Sequence, residues 1–180
     1  MKIVAAEIKE SGVTLVELLV VISIIGILVV ALGFSYQGWV ANYKIESQAK
    51  QLYADVMDAR ARATTQNRMF FVVLNTNNYS IYEDTNDNTT FEPGAGPTDD
   101  HPIPEYCQPG TFTVKPRTIE YNLGWTGTIS FNTKGLTASA AAVTIPIILP
   151  TQTQPDYDCI LVYQSRIRLG QMSGGVCVFK

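Results

Sequence analysis

The sequence predicts an α+β protein in which one long N-terminal helix packs on an antiparallel β-sheet domain. Residues 13–34 form an apolar run, and residues 45–63 repeat apolar side chains at helical spacing. After residue 68, short apolar stretches alternate with clusters of Asn, Thr, Pro and Gly, which is typical of strands joined by turns. We therefore expect one helix up to about residue 64 and strands beyond it.

The composition excludes several classes of function. The chain has 180 residues, enough for one domain beside the helix, and a net charge of −3. An acidic balance does not favour a nucleic-acid partner. His101 is the only histidine, and the sequence has neither a Cys-x-x-Cys pair nor a glycine-rich phosphate loop. We therefore predict no enzyme, no catalytic residue, no cofactor and no metal.

The apolar run is long enough to cross a membrane once. As a helix, residues 13–34 would span roughly 33 Å, close to the ~30 Å hydrocarbon core of a bilayer. Glu17 is the one ionisable residue in this run, and a carboxylate in such a helix usually has a partner. A signal anchor is the alternative, although a secretory apolar region is only about 7–15 residues long. We predict that residues 13–34 form a transmembrane or filament-core helix.

Three residues at the start of this run resemble the type IV pilin signal. Gly12 precedes the apolar Val13, and Glu17 is the fifth residue counted from Val13. The family includes major and minor pilins and the pseudopilins of type II secretion. The resemblance implies that residues 1–12 are a leader, that prepilin peptidase cuts between Gly12 and Val13, and that Val13 is N-methylated. It also implies that Glu17 contacts the terminal amine of a neighbouring subunit.

The same resemblance implies partners and a compartment. Other pilins or pseudopilins in a helical filament and an inner-membrane assembly platform are the expected partners. The chain would be a single-pass protein of the bacterial inner membrane, with a β-rich domain of residues 65–180 in the periplasm.

Residues 35–64 are predicted to be the amphipathic half of the same helix. Apolar residues recur there at alternating intervals of four and three, which places them on one helical face. We expect this face to pack on the sheet, in preference to forming a coiled coil. Its members are Ile45, Ala49, Leu52, Val56, Ala59 and Ala63.

The first two predicted strands carry a narrower resemblance. Residues 69–74 are apolar, residues 75–77 form a turn, and residues 79–82 alternate and pair back. An Ala-Arg helix over residues 59–63, followed by this hairpin and an Asx-rich turn, resembles the H-type pseudopilins and the fimbrial T-type minor pilins. The resemblance implies a structural subunit of a type II secretion pseudopilus or of a type IV pilus.

The remaining strands are predicted from short apolar segments. Pro146 lies inside one of them and restricts it to a sheet edge or a broken strand. The predicted segments are residues 112–114, 118–121, 128–132, 142–149, 159–163, 166–169 and 176–179.

Residues 84–111 form a long polar loop. Its run Asp84-x-Asn86-x-Asn88 resembles the start of a calcium loop, but Thr89 and Ala95 stand where that loop needs Gly and Glu. We therefore favour an Asx-rich turn without a metal. An adhesive minor pilin acting through this loop is an alternative function.

Three cysteines allow one disulfide and leave one thiol. We favour Cys159–Cys177 because both residues lie in the C-terminal strand region, and an exported chain would permit the bond. A bond to Cys107 and three free thiols remain open.

A small basic patch is the basis of another alternative function. Arg166, Arg168 and Lys180 lie near the C-terminus, and fimbrial T-type proteins are thought to use such residues in DNA uptake. Phosphate binding needs several clustered cations, so a DNA-binding minor pilin is the weaker alternative.

Overall fold

The computed structural model describes residues 12–94, 96, 98–111, 113–139, 141–150 and 153–180, without the side chains of residues 31–37. Its internal contacts divide the chain into two units, Met1–Trp39 and Val40–Lys180. The predicted leader therefore lies outside the described residues except for Gly12.

Helix α1 extends over Leu15–Gln66, close to the predicted residues 14–64. All six residues of the predicted apolar face in its second half are fully buried, from Ile45 to Ala63. They join one hydrophobic core with residues of both sheets, such as Phe70, Ile129 and Ile160. The α+β prediction is therefore confirmed, and the fold is consistent with a pilin-like protein.

The first sheet has the strand order β3-β2-β1-β5, with β4 paired to β2. All of these pairings are antiparallel, and the predicted hairpin of the first two strands is confirmed. The strands are β1 (Phe70–Leu74), β2 (Asn78–Glu83), β3 (His101–Pro102), β4 (Arg117–Thr118) and β5 (Gly127–Phe131).

The second sheet is an antiparallel meander in the order β6-β7-β8-β9. Its first strand contains Pro146 and lies at an edge, as the proline predicts. The strands are β6 (Val143–Pro146), β7 (Cys159–Val162), β8 (Ile167–Ser173) and β9 (Val176–Phe179).

Two predicted strands are wrong. Phe112 lies outside the described residues, and Val114 forms only an isolated bridge with Cys107. Of the strand predicted at residues 118–121, only Thr118 belongs to a strand. The Tyr121 backbone bonds instead to the side chain of Gln48 on α1, so a helix side chain replaces the neighbouring strand.

Candidate processing and assembly site

Helix α1 begins at Leu15, and Thr14 caps it. The Thr14 hydroxyl oxygen accepts the Glu17 N–H at 3.2 Å, and the Thr14 carbonyl accepts the Leu18 N–H at 3.2 Å. These bonds satisfy N–H groups that the start of a helix otherwise leaves without partners. Thr14-x-x-Glu17 has the spacing of a capping box. This spacing is visible in the sequence, although the helix is predicted from its apolar residues alone.

Gly12 and Val13 precede the helix in an exposed, non-helical segment. A Cβ atom at Gly12 would meet nothing within 4 Å, so the fold itself does not require glycine there. The Val13 side chain is 72 % exposed. Both residues of the predicted cleavage bond are therefore exposed.

The first turns of α1 expose apolar side chains all around the helix. The side chain of each large apolar residue from Leu15 to Val30 is about half exposed or more. The hydroxyl of Ser23, a polar residue in this stretch, donates to the Leu19 carbonyl at 2.8 Å and is satisfied within the helix. Such a surface is stable only where another apolar phase or chain covers it.

Within the described part of the chain, no helix combines the length and apolar character needed to cross a membrane. The membrane crossing predicted for residues 13–34 stays a prediction.

Glu17 lies in the first turn of α1 and is exposed. A negative charge at this position is favourable because the N–H groups of a helix start carry partial positive charge. Glu17 thus has a local role in the isolated helix, in addition to the intermolecular role that the resemblance implies.

Cys159 and Cys177 form a disulfide, which is the pairing that the sequence favoured. The bond joins β7 to β9 and crosses the strand between them, β8. Gly170 on β8 makes the crossing feasible, because a Cβ there would lie 2.9 Å from the Cys177 sulfur. Cys107 keeps a free thiol, which donates to the Pro102 carbonyl at 2.9 Å.

The three residues of the predicted basic patch differ in their surroundings. The Lys180 ammonium pairs with Asp156 at 2.7 Å, and the Arg168 guanidinium lies 4.4 Å from the centre of the Phe179 ring. Arg166 lies exposed at the β7–β8 turn. Because two of these cations already have partners, the geometry does not favour a DNA-binding surface.

The predicted polar loop of residues 84–111 is not one continuous loop, because β3 and a 3-10 helix over Pro104–Tyr106 interrupt it, but its first part has the Asx-turn structure that the sequence favoured. The Asn86 side-chain oxygen accepts the Asn88 N–H at 3.0 Å, and the Asn88 oxygen accepts the Thr90 N–H at 2.8 Å. His101 bonds through Nε2 to the Gly96 carbonyl at 3.0 Å. Among the residues that the structure describes, no three His, Cys, Asp or Glu side chains are grouped to hold a metal ion.

A polar cluster lies between α1 and the first sheet, and no pattern in the sequence predicts it. Asp55 accepts hydrogen bonds from the Tyr79 hydroxyl at 2.6 Å and the Tyr106 hydroxyl at 2.9 Å. The Arg117 guanidinium lies 3.0 Å from the same Asp55 oxygen. Three distant segments supply these partners, so local spacing carries no signal for the cluster.

One comparison with known proteins identifies the N-terminal region. The model of the prokaryotic N-terminal methylation motif matches residues 8–33, which include Gly12, Val13 and Glu17. The match supports a type IV pilin-like chain that prepilin peptidase processes and that assembles with other pilins. Searches of curated proteins and of solved structures give no match.

Proposed function

We propose that the chain is a structural subunit of a helical filament: a pseudopilin of a type II secretion pseudopilus or a minor pilin of a type IV pilus. Prepilin peptidase cuts between Gly12 and Val13, and the new terminus of Val13 is methylated. The observation that carries the proposal is an apolar helix, exposed on all sides from Leu15 to Val30, within the matched methylation motif. The resemblance to H-type pseudopilins and T-type minor pilins adds support.

The apolar start of α1 and the disulfide support the proposed compartment. The apolar start of α1 anchors the subunit in the bacterial inner membrane before assembly, and the β-rich domain lies in the periplasm. The Cys159–Cys177 disulfide supports this location because such bonds persist in oxidising compartments. An inner-membrane assembly platform then extracts the subunit into the filament.

In the filament, the exposed apolar side chains of α1 pack against neighbouring subunits in place of lipid, so van der Waals packing favours association within the membrane. Once the subunit has left the membrane, this packing keeps the same apolar surface from water, which stabilises the filament by roughly 25 cal/mol per Å². A lone Glu17 carboxylate in that environment would be unfavourable, and the N-terminal amine of an adjacent subunit neutralises it. Pairing of the two charges also specifies the register between neighbouring helices.

The first test is the intact mass of the full-length protein, expressed with and without a prepilin peptidase. We expect a peptidase-dependent product that begins at Val13 and carries one methyl group. The Gly12→Ala variant should lose this cleavage without a change in fold, because the added Cβ meets open space. A wild-type chain that keeps residue 1 beside an active peptidase would overturn the proposal.

The assembly role of Glu17 is tested by the Glu17→Gln variant. A capping box accepts glutamine as well as glutamate at the third helical position, which is residue 17 here. The substitution therefore removes the charge and keeps the helix start. We expect normal processing and reduced incorporation into filaments. Thr14→Ala is the matched control, since it weakens the cap and keeps the carboxylate. Normal incorporation of the Gln variant would exclude the charge pairing.

Whether the subunit belongs to a secretion pseudopilus or to a type IV pilus is tested by the phenotype of a gene deletion. Deletion of the gene from its native host should abolish secretion of a type II substrate if the subunit is a pseudopilin. It should abolish or shorten surface pili if the subunit is a minor pilin.

A further inference from the structure

The Asx loop, residues 84–100, starts and ends on a buried aspartate. It connects β2 to β3, and these strands pair Glu83 with His101. Asp84 follows the first of these residues and Asp100 precedes the second, so the two aspartates flank the root of the loop. Their exposed fractions are 1 % for Asp84 and 0 % for Asp100.

Each of the two carboxylates has one bonded oxygen and one without a partner. Asp84 Oδ2 accepts the Thr89 N–H at 2.9 Å, and Asp100 Oδ2 accepts the Glu92 N–H at 2.7 Å. Both bonds come from backbone N–H groups of the loop, so both carboxylates contact the loop. Among the described residues, the two Oδ1 atoms are the buried side-chain oxygens that have no hydrogen-bond partner.

Among the described residues, neither Asp84 nor Asp100 forms an ion pair with a cationic side chain. Arg68 lies nearby, but its guanidinium pairs with Glu83 at 3.2 Å and with Asp87 at 4.0 Å. Buried carboxylates are normally paired, coordinated to a metal or protonated.

The carbonyl groups of the two residues before Asp100 are further oxygen atoms that the loop can offer to a cation. The Thr85 hydroxyl donates to the Asp99 carbonyl at 2.5 Å, and the Asn86 amide donates to the Thr98 carbonyl. These bonds hold the two limbs of the loop together next to its root. Each carbonyl oxygen keeps a second lone pair for a cation.

We propose that Asp84 and Asp100 bind a Ca²⁺ ion at the root of the Asx loop, together with loop carbonyl oxygens and water. Calcium takes six to eight oxygen ligands and accepts carboxylates, carbonyls and water in flexible geometry. Two carboxylates without a histidine or thiolate do not suit zinc or copper. The site differs from a calcium hand, because the second carboxylate comes from the residue before β3. It is independent of the proposed filament function.

The test is calcium titration of the full-length protein in detergent after treatment with a chelator. Calorimetry should show one Ca²⁺ bound per chain and much weaker binding of Mg²⁺. At 100 times the dissociation constant, Ca²⁺ should raise Tm by roughly 5–10 °C. The Asp84→Asn and Asp100→Asn variants keep the side-chain shape and should bind Ca²⁺ at least about 100-fold more weakly.

Asp87→Asn is the matched control within the same loop, because the Asp87 side chain is 65 % exposed and pairs with Arg68. It should keep wild-type affinity. Hydrogen exchange of the wild-type chain needs no substitution, and Ca²⁺ should slow exchange within residues 84–100. The proposal is overturned if the wild type binds no Ca²⁺ at about 10 mM, or if both Asn variants bind it normally. Faster or unchanged exchange in the loop would also overturn it.

Discussion

The side-chain amide of Gln48 on α1 bonds to both backbone polar groups of Tyr121. Its nitrogen donates to the Tyr121 carbonyl at 2.6 Å, and its oxygen accepts the Tyr121 N–H at 2.9 Å. The amide thus provides the pair of hydrogen bonds that an adjacent strand would otherwise supply. It ties the helix to the chain between β4 and β5.

Gln48→Ala should lower the free energy of unfolding by about 1–3 kcal/mol. Removal of the amide leaves two partly buried backbone groups without partners. Lys44→Ala is the control on the same helix, because its exposed ion pair with Glu120 is worth at most about 1 kcal/mol. Urea denaturation of the detergent-solubilised protein measures both. Equal losses of unfolding free energy in the two variants would show that the bonds to Tyr121 stabilise the protein no more than the exposed ion pair.

Removal of the disulfide should destabilise the β-rich domain by about 3 kcal/mol. Cys159 and Cys177 are 18 residues apart, and closing a loop of about that length removes this much chain entropy from the unfolded state. The double variant Cys159→Ser, Cys177→Ser is compared with the wild type by denaturation without reductant. Cys107→Ser should cost much less, since serine can still donate to the Pro102 carbonyl.

Gly170→Ala should also destabilise the second sheet, by about 1–3 kcal/mol. The new Cβ would lie 2.5 Å from the Val178 carbonyl oxygen and 2.9 Å from the Cys177 sulfur. The carbonyl belongs to the backbone of the adjacent strand, which cannot rotate away. Gly38→Ala is the control, because its Cβ meets nothing within 4 Å and alanine favours a helix. Thermal unfolding of the two variants should shift in opposite directions or by clearly different amounts.

Asp55→Asn should lower the free energy of unfolding by about 1.5–3 kcal/mol. The substitution removes a charged acceptor from the Tyr79 and Tyr106 hydroxyls and from the Arg117 guanidinium. Asp58→Asn on the same helix breaks only an exposed pair with Arg62 and should cost less than about 1 kcal/mol. Denaturant titration of the two variants gives the comparison. A similar cost for both would mean that the Asp55 cluster contributes little.

The same cluster should make the protein sensitive to alkaline pH. Burial raises the pKa of Tyr79 and of Tyr106, and the negative charge of Asp55 raises both further. Above about pH 10 an unfolded tyrosine releases its proton while the folded one keeps it. Stability should therefore fall there, by up to about 1.4 kcal/mol per pH unit for each tyrosine.

Stability measured between pH 8 and pH 11 tests this expectation. The double variant Tyr79→Phe, Tyr106→Phe starts from a lower stability but should show a shallower decline with pH. Identical slopes for the variant and the wild type would show that these two hydroxyls do not titrate on unfolding.

The sequence predicts the elements whose pattern is local. The apolar face of α1 repeats every three or four residues, and each of its six members is buried because that period matches the helix. The β1–β2 hairpin can also be predicted from the sequence, because its two strands are joined by a short turn. The methylation motif matched over residues 8–33 is also a contiguous signal in the sequence.

Strands and polar clusters that depend on distant residues could not be predicted. The segment at residues 118–121 has a strand-like composition, yet Gln48 supplies the hydrogen bonds at Tyr121 from 73 positions away. Asp84 and Asp100 are ordinary residues of a polar loop in the sequence. Only the pairing of β2 with β3 brings them together at its root.

The sequence by itself determined the long helix, its apolar first half, the methylation motif of residues 8–33 and the α+β class, because each depends on spacing along one continuous segment. Tertiary structure alone decided that two carboxylate oxygens at the root of the Asx loop are buried without a hydrogen-bond partner among the described residues. It also decided that position 170 must be glycine, because a Cβ there would lie too close to the Cys177 sulfur. Both depend on which chain segments pack against each other, a property that no local period encodes.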